Sequence, residues 1–125
     1  MKLVVKILIG IFIVPMVLAG GAAMIDPMAM TERLAIEPIG TDGLSAIRGA
    51  YGGYLLGIGI MMFLGLWTKN TLWYLASAIL VGLALFGRLI SVAVDGIGPD
   101  VSRHVGMEVI MFALLYVAFY KLNPE

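Results

Sequence analysis

Four apolar stretches, each close to the roughly 20 residues an α-helix needs to cross a bilayer, decide what this chain can fold into. They run over residues 3–25, 48–67, 71–94 and 103–122. Polar breaks separate them: Asp26-Pro27, Thr68-Lys69-Asn70 and Asp95-Gly96, with Asn123-Pro124 after the last. Pro and Gly at three of these ends are helix stop signals. Composition points the same way, since 62% of the 125 residues are apolar against roughly 45–50% in an ordinary soluble domain. Only 13% are charged and the mean hydropathy is +1.05. A soluble domain of this length leaves too much surface in water to hide so much apolar area. The expected fold is all-α: an integral membrane antiparallel four-helix bundle, forming a single transmembrane domain over residues 1–125.

The first stretch has a competing reading as a secretory signal. Lys2 and Lys6 resemble a basic leader, and Ala19-Gly20-Gly21-Ala22-Ala23 offers small residues for cleavage. Its apolar run is long for a signal core, so an uncleaved helix is expected, kinked at Pro15.

Lysine placement gives the orientation. If the helices alternate, Lys2, Lys6, Lys69 and Lys121 share one side, while Asp26, Glu32, Glu37, Asp42, Asp95 and Asp100 share the other, with Arg33 and Arg103 as basic exceptions. Positive charge marks the cytoplasmic side, which predicts cytoplasmic termini and an outer connection over residues 26–47. Residues 28–36 have the mixed polarity of a short interfacial helix between helices one and two, broken by Pro38, Gly40 and Gly43. Trp67, Trp73 and Tyr74 flank the Lys69 turn, where aromatic rings favour the interface.

Ionisable side chains inside a span are costly and usually pair within the protein. Arg88, Ser91 and Asp95 share one face of the third helix, His104 and Glu108 one face of the fourth, and Arg48 and Tyr51 one face of the second. With the helices alternating, all seven fall in the outer third of the bundle. The expected pair is Arg88 with Glu108. It reads either as a fixture of helix register or as part of an outward polar pocket for an anionic headgroup, a quinone or a small acid. His104 has no second histidine beside it and the chain has no cysteine, so neither a metal site nor another cofactor is expected. Absent cysteine also excludes disulfides and a thiol nucleophile. A net charge of zero gives no overall basic field for nucleic acid. Gly49, Gly53 and Gly57 recur every four residues, a small-residue stripe expected to pack within the bundle, with a homo-oligomer interface as the alternative.

At these motifs the chain resembles a family. Arg48-Gly-Ala-Tyr-Gly-Gly53, Gly87-Arg-Leu-Ile-Ser91 leading to Asp95-Gly96, and then Glu108 are similar to a family of small bacterial four-helix membrane proteins catalogued as a domain of unknown function. More distantly, the architecture resembles DoxX-type proteins, some of which partner quinone-linked oxidoreductases. The resemblance implies a bacterial inner membrane and carries no established activity. No nucleophile–base pair, metal-ligand set or phosphate loop marks an enzyme. Three functions follow as expectations: a non-enzymatic accessory subunit or binder of a lipid-like or small anionic molecule, an accessory of quinone-linked electron transfer, or a small homo-oligomeric transporter or channel. Expected partners are the lipid bilayer and a membrane protein complex or a second copy.

Overall fold

The computed structural model describes residues 1–123, which are helical almost throughout and contain no strand. Helix α1 spans Lys2–Ile25 and carries Pro15 in its interior. A 3₁₀ turn, Pro27–Met30, leads into α2, Thr31–Leu34, and the Thr31 hydroxyl donates to the Met28 carbonyl at 2.9 Å. Ala35, in the left-handed region at φ 55°, ends α2. A short helical segment therefore stands within residues 28–36, as the mixed polarity predicts.

The second long helix starts earlier than residue 48. Helix α3 (Gly40–Ala46), a π-helical segment (Ile47–Gly52) and α4 (Gly53–Thr68) run on as one helix from Gly40 to Thr68. Its 29 residues extend about 43 Å at 1.5 Å per residue, beyond the roughly 30 Å of hydrocarbon. The α3 sequence Gly-Thr-Asp-Gly-Leu-Ser-Ala is polar, so an apolar run marks the buried part of the helix and misses this extension. The short helix does end before Pro38, but Gly40 and Gly43 already belong to this second helix. Gly40, at φ +61°, opens it, and Gly43 lets it lie against Pro38, whose Cα is 2.8 Å from where a Cβ would stand.

Helix α5 spans Leu72–Asp95 and α6 spans Pro99–Lys121. The Lys69-Asn70 turn before α5 is held locally: the Asn70 side-chain carbonyl accepts from the Leu72 N–H at 3.1 Å, and the Asn70 N–H donates to Thr68 Oγ1 at 3.3 Å. Lys69 adopts the left-handed region, φ 58°. Helix α6 begins four residues before Arg103, because Pro99 is pre-set for the first helical position and Asp100 suits the positive end of the helix dipole. Pro124, read as a stop signal, lies outside the described residues.

Two compact units divide the chain. One comprises Met1–Gly10 and the chain from Met61 onward. Here α5 and α6 pack along their lengths, with Phe112 over Gly82, 2.9 Å from where a Cβ would stand. Gly65 of α4 lies against the buried Tyr74 ring.

The other unit is Ile11–Ile60. In it α1 meets the second long helix through Gly20, Gly52 and Gly59. A Cβ on Gly20 would stand 2.7 Å from the Leu56 nitrogen and 3.0 Å from the Gly52 carbonyl oxygen, and one on Gly59 2.8 Å from Val17. The Gly49, Gly53 and Gly57 row takes no part in this contact: within the unit, a Cβ on any of the three meets nothing within 4 Å. Two glycine rows interleave on this helix, and a four-residue repeat alone does not say which row faces a neighbour. The packed row, positions 52 and 59 with Leu56 between, lies beside the repeated one.

Among the described residues, four helices are long and apolar enough to cross a membrane. Large side chains such as Leu18, Leu83 and Phe86 stand more than 60% exposed, a pattern that suits lipid as the surrounding solvent and not water. The protein is a multi-pass, all-α membrane protein.

Candidate functional site

Within the first unit, three residues (96–98) separate α5 from α6, which forces the two helices antiparallel and adjacent. Arg88 lies about two turns before the end of α5, and Glu108 lies in the third turn of α6. Arg88 Nε donates to Glu108 Oε1, and this is both a hydrogen bond and an ion pair. The side chains are 33% and 18% exposed. The contact is one-sided, because Oε2 of Glu108 is buried and has no hydrogen-bond partner among the described residues. A guanidinium that met the carboxylate squarely would make two parallel bonds.

The polar residues nearer the helix ends make their own arrangements. Ser91 donates to Asp95 Oδ2 at 3.4 Å, one helical turn along α5. Arg103 and Asp100 form an exposed ion pair at 2.6 Å on the first turn of α6. His104 is partly buried on α6 and takes part in an interaction of its own.

Arg48 and Tyr51 belong to the other unit, in the π-helical segment. Such segments are rare and favour functional positions. Here Gly49 and Gly52 relax the backbone that must widen. Arg48 donates through Nη1 to the carbonyl of Met24. That carbonyl is among the last four of α1, which have no partner inside the helix and carry its negative dipole end. Arg48 thus caps α1. Tyr51 packs against the buried cluster of Ala23, Met30 and Ile47. Beside it, residues 34–51 enclose an open hollow of about 720 Å³, mostly apolar, with Glu37 and Asp42 on its wall.

The structure therefore joins Arg88 with Glu108 and Ser91 with Asp95, and gives Arg48 a backbone partner. Sequence reasoning missed the π-helical segment and the capping role of Arg48. The Gly-rich run 49–53 was the available signal for the first, and nothing signalled the second. Among the described residues no three His, Asp or Glu side chains gather as ligands for a metal ion.

No curated protein and no solved structure matches this chain. A family model described as a domain of unknown function (DUF4345) matches residues 4–119. With that match covering nearly the whole chain, the protein belongs to the DUF4345 family.

Proposed function

We propose that this membrane protein is a non-enzymatic binder that holds a small lipid-like molecule at the Arg88–Glu108 pair. The observation that carries the reading is the unused half of the pair. Glu108 keeps a buried oxygen without a partner, and Arg88 engages the carboxylate through Nε alone. A buried acceptor left unmade costs roughly 1–3 kcal/mol, more when charged. A purely structural pair gains by closing into the two-point fork that arginine favours. The open form instead sets guanidinium donors beside a vacant carboxylate acceptor. That combination suits a polar head carrying both an acceptor and a donor, such as a carbonyl next to a hydroxyl.

The two charges compensate each other, which leaves little net positive field. A neutral or weakly acidic head therefore fits better than a strongly charged anion. A quinone-type head belongs to this class, so the accessory role in quinone-linked electron transfer is the form of this reading that names a partner.

The test is small-molecule mass spectrometry of protein purified from native membranes in mild detergent. Wild type should carry a defined lipid-like species that the paired Arg88→Leu, Glu108→Met variant loses while keeping its thermal stability. Equal recovery of every species from both proteins would leave the pair a purely structural one.

A further inference from the structure

At the opposite ends of α5 and α6, the first unit contains a cavity of about 190 Å³ that the Arg88–Glu108 reading does not use. Three lysines line it: Lys2 and Lys6 from the start of α1, and Lys69 from the turn between α4 and α5. Thr71, Tyr74 and Asn123 add polar groups to the wall, and the first two are buried. Among the described residues no acidic side chain lines it, and none of the three ammonium groups enters an ion pair.

All three lysines are exposed, so solvent tempers their mutual repulsion without removing it. Lys2 and Lys6 stand at i and i+4 on one helix, where like charges destabilise, and Lys69 brings a third positive charge to the same small space. Lys69 also occupies the left-handed backbone region, which glycine would adopt without strain. An anion at the cavity would offset all three charges. We infer that the lysine cavity binds a phosphate-bearing group, either the headgroup of an anionic membrane lipid or a soluble phosphate compound.

The volume lies below the roughly 300–1,000 Å³ of sites for drug-sized molecules, which matches one compact anionic group. Lysine serves phosphate as a mobile point charge, without the fixed fork of arginine. The site stands at the ends of membrane-crossing helices, the depth at which headgroups lie, and basic pockets between such helices are suited to them. Leu3 and Ile7, beside the two α1 lysines, are 69% and 53% exposed and offer an apolar path for an attached acyl chain.

The full chain in nanodiscs of phosphatidylcholine, with and without a minor fraction of phosphatidylglycerol, tests this by native mass spectrometry of retained lipid. Delipidated protein titrated with inorganic phosphate, followed by fluorescence of Trp67 and Trp73, tests the soluble source. Wild type should retain phosphatidylglycerol in preference or bind phosphate saturably, and which of the two occurs identifies the source. The Lys2→Gln, Lys6→Gln, Lys69→Gln variant should weaken that binding roughly tenfold or more. Lys121→Gln, which removes a lysine outside the cavity wall, should leave it unchanged. Lys69→Gly separates binding from folding, because it relieves the left-handed backbone and should hold or raise the melting temperature while weakening binding. Neither ligand binding to wild type, or an equal loss in the Lys121 variant, would overturn the assignment.

Discussion

Glu108 is the residue on which the site turns, because its two oxygens meet different fates: one accepts from Arg88 and the other is buried and unmatched. Removing Arg88 would leave the whole carboxylate without its cation. For fully buried pairs that loss costs roughly 3–5 kcal/mol; with a third of Arg88 exposed, Arg88→Leu should cost about 2–3 kcal/mol, read as thermal stability in detergent. Replacing both residues with Leu and Met should recover most of it, since the double change leaves no charge stranded. A double variant as unstable as Arg88→Leu would mean that the pair itself, and not the stranded charge, sets the stability. This pair could be read from the sequence because two ionisable residues inside neighbouring apolar runs have few alternatives to each other. Arg48 could not be read in the same way. Its partner is a backbone carbonyl, and a carbonyl leaves no trace in residue identity.

Hydropathy found the four long helices but misjudged two of their starts, because it measures burial in lipid and the polar turns of α3 and early α6 lie outside that criterion. The glycine rows show a second limit, at the level of helix faces. Side-chain periodicity narrows the packed face of the second helix to two adjacent rows, and only the neighbouring helix selects between them. Substitution by alanine should separate the rows by sign. Gly20→Ala places a methyl group 2.7 Å from the Leu56 backbone nitrogen, a clash that no side-chain rotation relieves, and should cost about 1–3 kcal/mol. Gly53→Ala meets open space and should stabilise the helix by about 0.5–1 kcal/mol, since alanine loses less backbone freedom than glycine. Gly65→Ala should behave like Gly20→Ala, because the Tyr74 ring carbons lie 2.6 and 2.7 Å from its Cβ position. Thermal unfolding of the three variants in one detergent provides the comparison. A Gly53→Ala protein less stable than Gly20→Ala would return the packing face to the 49–53–57 row.

At the scale of the whole molecule, lysine gathers at one end of the helices, while the opposite ends mix arginine with acid. The chain is neutral overall, yet Lys2, Lys6 and Lys69 converge on one cavity, while Arg88, Asp95, Asp100 and Glu108 belong to the opposite ends of α5 and α6. The lysine asymmetry is what the positive-inside rule acts on, since Arg88 and Arg103 at the other end stand beside acids. The lysine ends are expected on the cytoplasmic side, together with both termini, and the 26–47 connection on the outside. The absence of native cysteine makes the measurement clean, as each engineered cysteine is the single thiol in its variant. Intact spheroplasts treated with a membrane-impermeant maleimide should label Asp42→Cys and spare Lys69→Cys, and permeabilised cells should label both. The Lys69→Cys variant also removes one cavity lysine, so Asn70→Cys in the same turn serves as a second probe with all three lysines in place. If that probe is labelled in intact spheroplasts while Asp42→Cys is protected, the lysine ends face outward. The cavity would then meet the outer leaflet and the Arg88–Glu108 site the cytoplasm, and each would draw its ligand from the other side.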